Sequence, residues 1–501
     1  MWQPGSHAVH ARADIVASER SSSYQSYSVL ALKERMCGMP PTQSLSQHNR
    51  SIRQRPTRWL LYSTLALGMI AVFSGCTTPS LTPAQKPVPT LSPEQEHSIY
   101  YTILDEQGGL TSTVTSLDAT NGKLRWQVHI DDQTFAPVVA YGLVFVVVVS
   151  TVPNKSDALQ AIDATNGKVR WTFHYPGPAR LRPIAACHLI ITSSAVNEHP
   201  HQLLGIDPAS GAVRWRFSGV PFGQFPTAQE NLLYYFASSQ GNSEGNVAAL
   251  NLCSGTLAWS QRVPIAAASC GSSPIISGTI VVAECVPTAA LLAHPPQPVI
   301  PTLVAYHAAT GALLWQGERG QPQVGFSGIL ASGGNLYLVQ NRGIQAYAIT
   351  TGALLWQDQL AGSYIPLNFA VFGSGNLTFV IEPPGVVARD ATTGKARWQF
   401  SGEIDEWYLD ESGGVLYLTD GTTTVTALDL ATGAKLWQYQ DQEAFARLDT
   451  PLVVGDMLLL SRVLLPAGAQ HSSLITLHRK DGKLAWQFPT GFYPASPVIG
   501  P

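Results

Sequence analysis

Four stretches of the chain hold residue types that could do chemistry. Glu198–His201 reads Glu-His-Pro-His and sets two imidazoles two residues apart, as a metal site would need. No further ligand accompanies them, so a solvated loop is the expected reading. Gly325–Gly328 reads Gly-Phe-Ser-Gly, one residue short of the turn that presents a nucleophilic serine in hydrolases, and it falls where an inner strand should begin. Asp405–Glu411 ("DEWYLDE") brings carboxylates close together, as acid–base catalysis would require, but rim charges are expected here. Cys270 and Cys285 lie symmetrically about Ser277-Gly278. If two strands pair across that turn, the cysteines lie opposite each other and could form a disulfide; two free thiols are the alternative. Cys187 and Cys253 show no such relation. H-E-x-x-H, P-loop, G-x-S-x-G and C-x-x-C motifs are absent from the sequence. No catalytic residue and no metal ligand is assigned.

The elements that would have to position any site are written into a repeat. "LDATNGKLRW" ends at Trp126, and eight related stretches end at Trp171, Trp215, Trp259, Trp315, Trp356, Trp398, Trp437 and Trp486. Each has a glycine four residues before its tryptophan: Gly122, Gly167, Gly211, Gly255, Gly311, Gly352, Gly394, Gly433 and Gly482. A small polar residue precedes each glycine, and Asp or Asn stands four before it in six copies. This is hairpin chemistry. Gly supplies positive φ, and the Asx side chain accepts from backbone N–H groups just downstream. The flanks alternate as antiparallel strands do. A tryptophan in register nine times is expected to be a packing wedge between adjacent sheets rather than nine binding sites.

Successive tryptophans lie 45, 44, 44, 56, 41, 42, 39 and 49 residues apart. A period of roughly 40–45 residues is that of a four-stranded propeller blade. The interval after Trp356 divides into four β-rich runs, labelled A to D from the inside of a blade outward: "YIPLNFAVFGSG", "NLTFVIEP", "GVVARDATTG" and "KARWQF". The fold class is therefore all-β, a single propeller over residues 98–501. The first repeat has room only for strands B, C and D, while "YPASPVIG" at the C-terminus reads as a strand A without partners. Supplying that strand from the far end closes the ring and removes exposed edges.

Charged residues make up only 13% of the chain. Residues 1–58 form a basic, Ser-rich leader with no folding pattern, and translation starting at Met36 or Met39 would shorten it. Trp59–Phe73 is an uncharged run of 15 residues after Arg53, Arg55 and Arg58. That is short for a bilayer span, which needs about 20 residues, and typical of an export signal. It ends at Phe73-Ser74-Gly75-Cys76, and residues 59–76 resemble a signal with a bacterial lipobox, in which the cysteine is lipidated. Phe73 stands where Leu is usual. Lipidation at Cys76 is the expectation; an uncleaved anchor or plain secretion are the alternatives. Residues 77–97 carry five prolines in 21 residues and read as an extended tether. Beyond residue 76 there are 22 Lys/Arg against 30 Asp/Glu, which disfavours nucleic acid as a partner.

"AIDATNGKVRW" (Ala161–Trp171) resembles the pyrroloquinoline-quinone (PQQ)-like repeat, A-x-D-x-x-T-G-x-x-x-W. That family includes quinoprotein alcohol dehydrogenases and BamB-like outer-membrane assembly lipoproteins. The resemblance implies a propeller, usually of eight blades, whereas nine D strands are counted here. In the dehydrogenases the cofactor lies with Ca²⁺ beside a ring made by two adjacent cysteines. This chain has no adjacent cysteine pair and no haem-attachment motif. PQQ and calcium are therefore not expected, and the BamB-like branch is favoured.

Strand direction alternates, so A–B and C–D turns share one rim, and B–C and D–A connections share the other. The long connections all fall on the second rim. Loops on a rigid scaffold are where binding resides. That rim offers Arg180, Arg182, Phe222, Phe225, Phe326, Trp407, Tyr408, Phe445, Arg447 and Tyr493 as candidate anchors. The expected function is a non-enzymatic, membrane-tethered extracytoplasmic scaffold with a monomeric body that binds an envelope protein or peptide. A PQQ-dependent oxidoreductase is the alternative.

Overall fold

The computed structural model describes residues 98–500, apart from 106–110, 151, 153–154, 180–181, 197–198, 221–225, 239–244, 266–267, 272, 341–342, 360–370, 383, 444, 450, 465–471 and 492–493. The leader, the apolar run with Cys76 and the linker lie outside the described residues, as do the candidate anchors Arg180, Phe222, Phe225 and Tyr493. The described residues form nine antiparallel sheets, each of strands A to D, arranged as a propeller. The sixth blade is Gly328–Ser332, Asn335–Gln340, Gly343–Ala348 and Leu354–Gln359. In the seventh, Val371–Ser374, Leu377–Glu382 and Gly385–Asp390 fall within the first three runs read from the sequence, and Ala396–Ser401 runs one residue past the fourth.

The ring closes between the ends of the chain. Ser98–Asp105, Thr111–Asp118 and Leu124–Ile130 are strands B, C and D of the first blade. Its strand A is Pro494–Ile499, antiparallel to Ser98–Asp105, with Ile99 opposite Ile499. Inner strands are short and are broken in the second, fifth and ninth blades. Each break contains a proline (Pro137, Pro274 or Pro451), which cannot donate to the ladder and is tolerated on an edge strand. Middle strands have neighbouring blades on both faces, so Asn335–Gln340 is buried along its whole length. The core is thus a stack of interblade layers. Between blades five and six, Ile280, Val282 and Leu303 meet Leu336 and Leu338.

The repeated Gly and Trp build the outer circumference. The indole Nε1 of each blade's tryptophan donates to a backbone carbonyl in the C–D turn of the next blade: Trp126 to Ala164, Trp171 to Pro208, Trp215 to Leu252, Trp259 to Ala308, Trp315 to Ile349, Trp356 to Ala391, Trp398 to Leu430, Trp437 to Arg479, and Trp486 back to Ala119. That carbonyl belongs to the residue three before the turn glycine, and the indole lies flat against the glycine itself. A Cβ on Gly394, at φ +71°, would come within 2.6 Å of the Trp356 ring. Glycine is therefore required twice over, by the left-handed backbone and by the ring.

The turn Asp works as expected and does more. Asp163 Oδ1 accepts from Thr165 N at 2.8 Å, and the ladder shifts register between Ala161 and Ile162. In four copies this Asp also holds an Arg three residues past the glycine: Asp118 with Arg125, Asp163 with Arg170, Asp207 with Arg214, and Asp390 with Arg397. Arg397 and the Thr393 donors hold the Asp390 carboxyl down to about 2.

Cys270 and Cys285 are opposite each other in the register of the fifth blade and form a disulfide. Cys187 and Cys253, unrelated on the sequence alone, form a second disulfide. It joins the A–B turn of the third blade to the C–D turn of the fourth, because blade stacking brings those turns together on one rim. The Glu-His-Pro-His stretch also needs correction: His199 and His201 lie in strand His199–Ile206 rather than in a loop.

Candidate functional site

The most elaborate part of the loop-bearing rim stands over the fifth and sixth blades. Strand B of the fifth blade, Ile280–Pro287, runs into a short helix, Thr288–Leu292, before strand C begins at Thr302. The returning segment pairs with the connection to the sixth blade. Val299 and Gln323 exchange backbone hydrogen bonds at 2.8 and 3.0 Å, and Arg319 N donates to Pro301 O at 3.0 Å. These bonds satisfy polar backbone groups that loops would otherwise leave to water. They also lift three apolar side chains outward: Leu292, Val324 and Phe326 are 70%, 58% and 39% exposed. The Phe326 ring lies over Gly271, where a Cβ would meet it at 3.6 Å.

Beside this ridge a polar pocket of about 340 Å³ opens over the sixth blade. Its lining includes five glutamines, Gln321, Gln340, Gln345, Gln357 and Gln359, together with Asp358, Leu338 and Gly343. Gln321 comes from the connection and the others from strands B, C and D. Leu338, Gln345 and Gln357 are cross-strand neighbours, as are Gln340, Gly343 and Gln359. Both rows lie on the face turned toward the fifth blade, because Leu338 packs in the layer between those blades. Gly320, at φ +91°, lets the connection lie close to the sheet; a Cβ there would meet Gln340 Oε1 at 2.2 Å.

Several of the glutamines are oriented. Tyr347 donates to Gln345 Oε1 at 2.8 Å, and Gln345 Nε2 donates to Gln357 Oε1 at 3.1 Å. Gln340 Oε1 accepts from Gln321 N at 2.7 Å, and its Nε2 donates to Ser327 Oγ at 2.6 Å. Gln323 Nε2 donates to the same hydroxyl at 2.9 Å. Ser327 in turn supports Glu284, a buried carboxylate on strand B of the fifth blade, through its backbone N–H at 2.7 Å and its hydroxyl. Burial pushes the Glu284 carboxyl above its usual range, against the pull of the Ser327 donors. Asp358, on the outer strand, is paired with Arg389 of the seventh blade at 2.6 Å, and Arg389 also holds the buried Glu382 at 2.8 Å. The pocket mouth is therefore neutral amide with one partly neutralised carboxylate.

The described anchors divide. Phe326 and Phe445 are exposed, and Phe445 is 69% so. Arg182 is exposed and donates to Pro137 O at 3.0 Å. Trp407 and Tyr408 are not rim anchors but lie in the inner strand Glu406–Asp410 of the eighth blade. Trp407 stacks on Phe372 with centroids 3.9 Å apart, and Tyr408 packs into the layer toward the ninth blade. Arg447 is also on an inner strand and is paired with Asp405 and Asp449. Within Asp405–Glu411, Asp410 is buried and paired with Arg479. The glutamine pocket was missed by sequence reasoning, since its lining comes from four segments that only sheet pairing aligns.

The family described as outer membrane protein assembly factor BamB matches residues 107–218, 190–291, 299–404 and 340–497. No curated protein matches the chain. Among solved structures, one described as the eukaryotic initiation factor is 10% identical, with a TM-score of 0.56, over 81% of this chain and 98% of that one. At that identity the likeness is one of fold. BamB from Moraxella catarrhalis is 14% identical over 68% of this chain and 96% of its own, with a TM-score of 0.39. The quinohemoprotein alcohol dehydrogenase of Comamonas testosteroni is 11% identical over 64% and 68%, with a TM-score of 0.39. With nine copies of one turn locked tryptophan to glycine around the ring, and family matches spanning both halves of it, the chain belongs to the PQQ-like repeat family described as outer membrane protein assembly factor BamB.

Proposed function

We propose that this protein is a non-enzymatic scaffold, tethered outside the cytoplasm through a lipid on Cys76, whose loop-bearing rim binds an envelope protein or peptide. The observation that carries the reading is the asymmetry of the two rims. One is occupied by nine copies of the same tight turn, each locked to its neighbour. The other raises Leu292, Val324 and Phe326 into solvent beside a polar pocket. Exposed apolar side chains rimmed by polar groups mark interaction surfaces.

Catalysis is poorly supported by the same geometry. Ser327, set beside the buried Glu284 on this rim, accepts hydrogen bonds from two amides, so its lone pairs are engaged and its hydroxyl is a poor nucleophile. The residues present do not fit PQQ with calcium. The four cysteines of the ring form two disulfides, neither between adjacent residues. Among the described residues no three His, Cys, Asp or Glu side chains converge as a metal site would require.

The test is crosslinking in the native envelope. Leu292→Asp with Val324→Asp should abolish the partner crosslink while leaving the thermal melt unchanged, since both residues are solvent-exposed. Crosslinking at the parental level by a folded double variant would remove this reading. Oxidation of an alcohol by the full-length protein supplied with PQQ and Ca²⁺ would replace it with the dehydrogenase alternative.

A further inference from the structure

We propose that the rim of tight turns docks on an anionic bilayer surface, through lysines carried by five consecutive blades around the point where the tether joins the ring. The inference rests on the tethered reading above and adds which side of the ring meets the membrane.

The lysines are unevenly placed. Residues 98–501 contain seven, and six of them, Lys123, Lys168, Lys395, Lys435, Lys480 and Lys483, lie within two residues of a turn glycine. All six are exposed. The seventh, Lys155, stands on the loop-bearing rim and pairs with Asp132 at 2.5 Å. The six belong to the seventh, eighth, ninth, first and second blades. These blades are consecutive, since each passes its tryptophan to the next across the closure of the ring. In the other four blades the residue after the turn glycine is Ala212, Thr256, Ala312 or Ala353, so the turn itself does not require lysine. Much of the acid on this arc is already neutralised. Asp118, Asp163 and Asp390 are paired with Arg125, Arg170 and Arg397, Asp410 with Arg479, and Asp481 with Lys483. The other five lysines stand with Glu411, Asp429 and Asp456, a surplus of two positive charges (5 − 3). The turns of the third to sixth blades have no lysine and expose Glu230. The arc is thus a positive patch on a ring with 21 Lys/Arg against 28 Asp/Glu in residues 98–501.

The chain enters the ring on this same rim. Ser98, the first residue of strand B in the first blade, is opposite Asp118, the Asx residue of that blade's C–D turn. The segment leading from Cys76 therefore joins the turn rim, inside the arc of lysines. A tether attached there makes contact between patch and bilayer intramolecular, so a weak attraction suffices. Anionic headgroups attract lysines near the surface, and the attraction falls off within a Debye length. The neighbouring side chains suit such a surface. Lys123, Lys168, Lys435 and Lys483 are each followed directly by an exposed aliphatic residue: Leu124, Val169, Leu436 and Leu484. Lysine stems can lie along apolar surface while their heads reach charged groups. Exposed leucines also follow turns elsewhere, as at Leu313 and Leu354, so it is the lysines and the tether that single out this arc. With the turn rim against the bilayer, the loop-bearing rim with Leu292, Val324 and Phe326 is presented to partners on the side away from it.

The experiment reconstitutes the protein purified from membranes on two kinds of vesicle, pure phosphatidylcholine and an even mixture of phosphatidylcholine with phosphatidylglycerol. Lysines are labelled at trace level with a water-soluble N-hydroxysuccinimide ester and read by mass spectrometry, with Lys155 as the internal control. On the anionic vesicles the six turn-rim lysines should react on average at least about fivefold more slowly than on phosphatidylcholine, with Lys155 unchanged. Salt at about 1 M, where the Debye length is about 3 Å, should remove the difference. The variant Lys123→Gln, Lys168→Gln and Lys480→Gln changes exposed positions only; it should melt like the parent and lose protection at Lys395, Lys435 and Lys483. The proposal is overturned by equal reactivity of the six on both vesicles, by protection of Lys155 in their place, or by undiminished protection in the variant. Protection in native membranes but not on vesicles would overturn it in favour of an acidic protein on the same arc. If the protein floats with both vesicles and the six react equally, the proposal falls and the tethered reading stands. If it floats with neither, both fall.

Discussion

Removing the Trp356 indole tests the principle on which the ring is built. Trp356 is 7% exposed, donates to Ala391 O at 2.9 Å, and lies against Gly394 of the next blade. Truncating a large buried aromatic costs about 3–5 kcal/mol. About 1 kcal/mol of that is the hydrogen bond, whose acceptor is left facing a void. Gly394→Ala should be costly for two separate reasons. A Cβ at φ +71° costs about 1–2 kcal/mol. Forcing it to within 2.6 Å of the ring adds about 1–3 kcal/mol of overpacking. In the double variant the space vacated by the indole accepts the new Cβ, so the overpacking disappears while the backbone strain remains. The two losses should therefore fall short of additivity by about 1–3 kcal/mol, the size of coupling seen between residues in contact. Urea unfolding of parent, both single variants and the double variant measures this directly. Strict additivity would mean that indole and glycine do not share one interface, and the account of the repeat as a lock between blades would fail. Trp356→Phe, which keeps a ring but loses the donor, should lie between parent and alanine.

Three further outcomes follow. Glu284 has a folded-state pKa raised by burial, so its folded form favours the proton; the parent should lose stability as pH rises from the unfolded value of about 4.3 through the raised folded value, and Glu284→Gln should flatten that loss in pH-dependent urea unfolding. The Cys187–Cys253 disulfide closes 66 residues, so Cys187→Ser with Cys253→Ser should cost about 4 kcal/mol, and reductant should destabilise the parent more than this variant. Cys76→Ser should release the protein from membranes, checked by fractionation and by mass spectrometry of the mature N-terminus; retention with residues 1–75 still attached would favour an uncleaved anchor.

The sequence by itself determined the fold. The glycine, its Asx partner and the tryptophan recur at constant offsets, and each offset is a local requirement: positive φ at the turn, an acceptor four residues earlier, a ring four residues later. Local requirements are legible in a linear string, and the three-stranded first repeat with the lone C-terminal strand specified how the ring closes. The Asp–Arg pairs were legible too, at four before and three after the glycine, although the pattern was not recognised. The Cys270–Cys285 pair was readable because it spans a single turn. Apart from the tryptophan wedge, what lies between blades was not readable. Cys187 and Cys253 are 66 residues apart and meet only because turns of adjacent blades stack on one rim. Trp407 and Tyr408 read as loop anchors because sequence spacing cannot say where a connection ends and a short inner strand begins. The glutamine pocket depends on register: a shift of one residue in Leu354–Gln359 would carry Gln357 and Gln359 to the opposite face, away from Gln345, and no rule of local sequence sets that register. Tertiary packing sets it, by placing Leu338 in the layer against the fifth blade and Trp356 against Gly394 of the seventh.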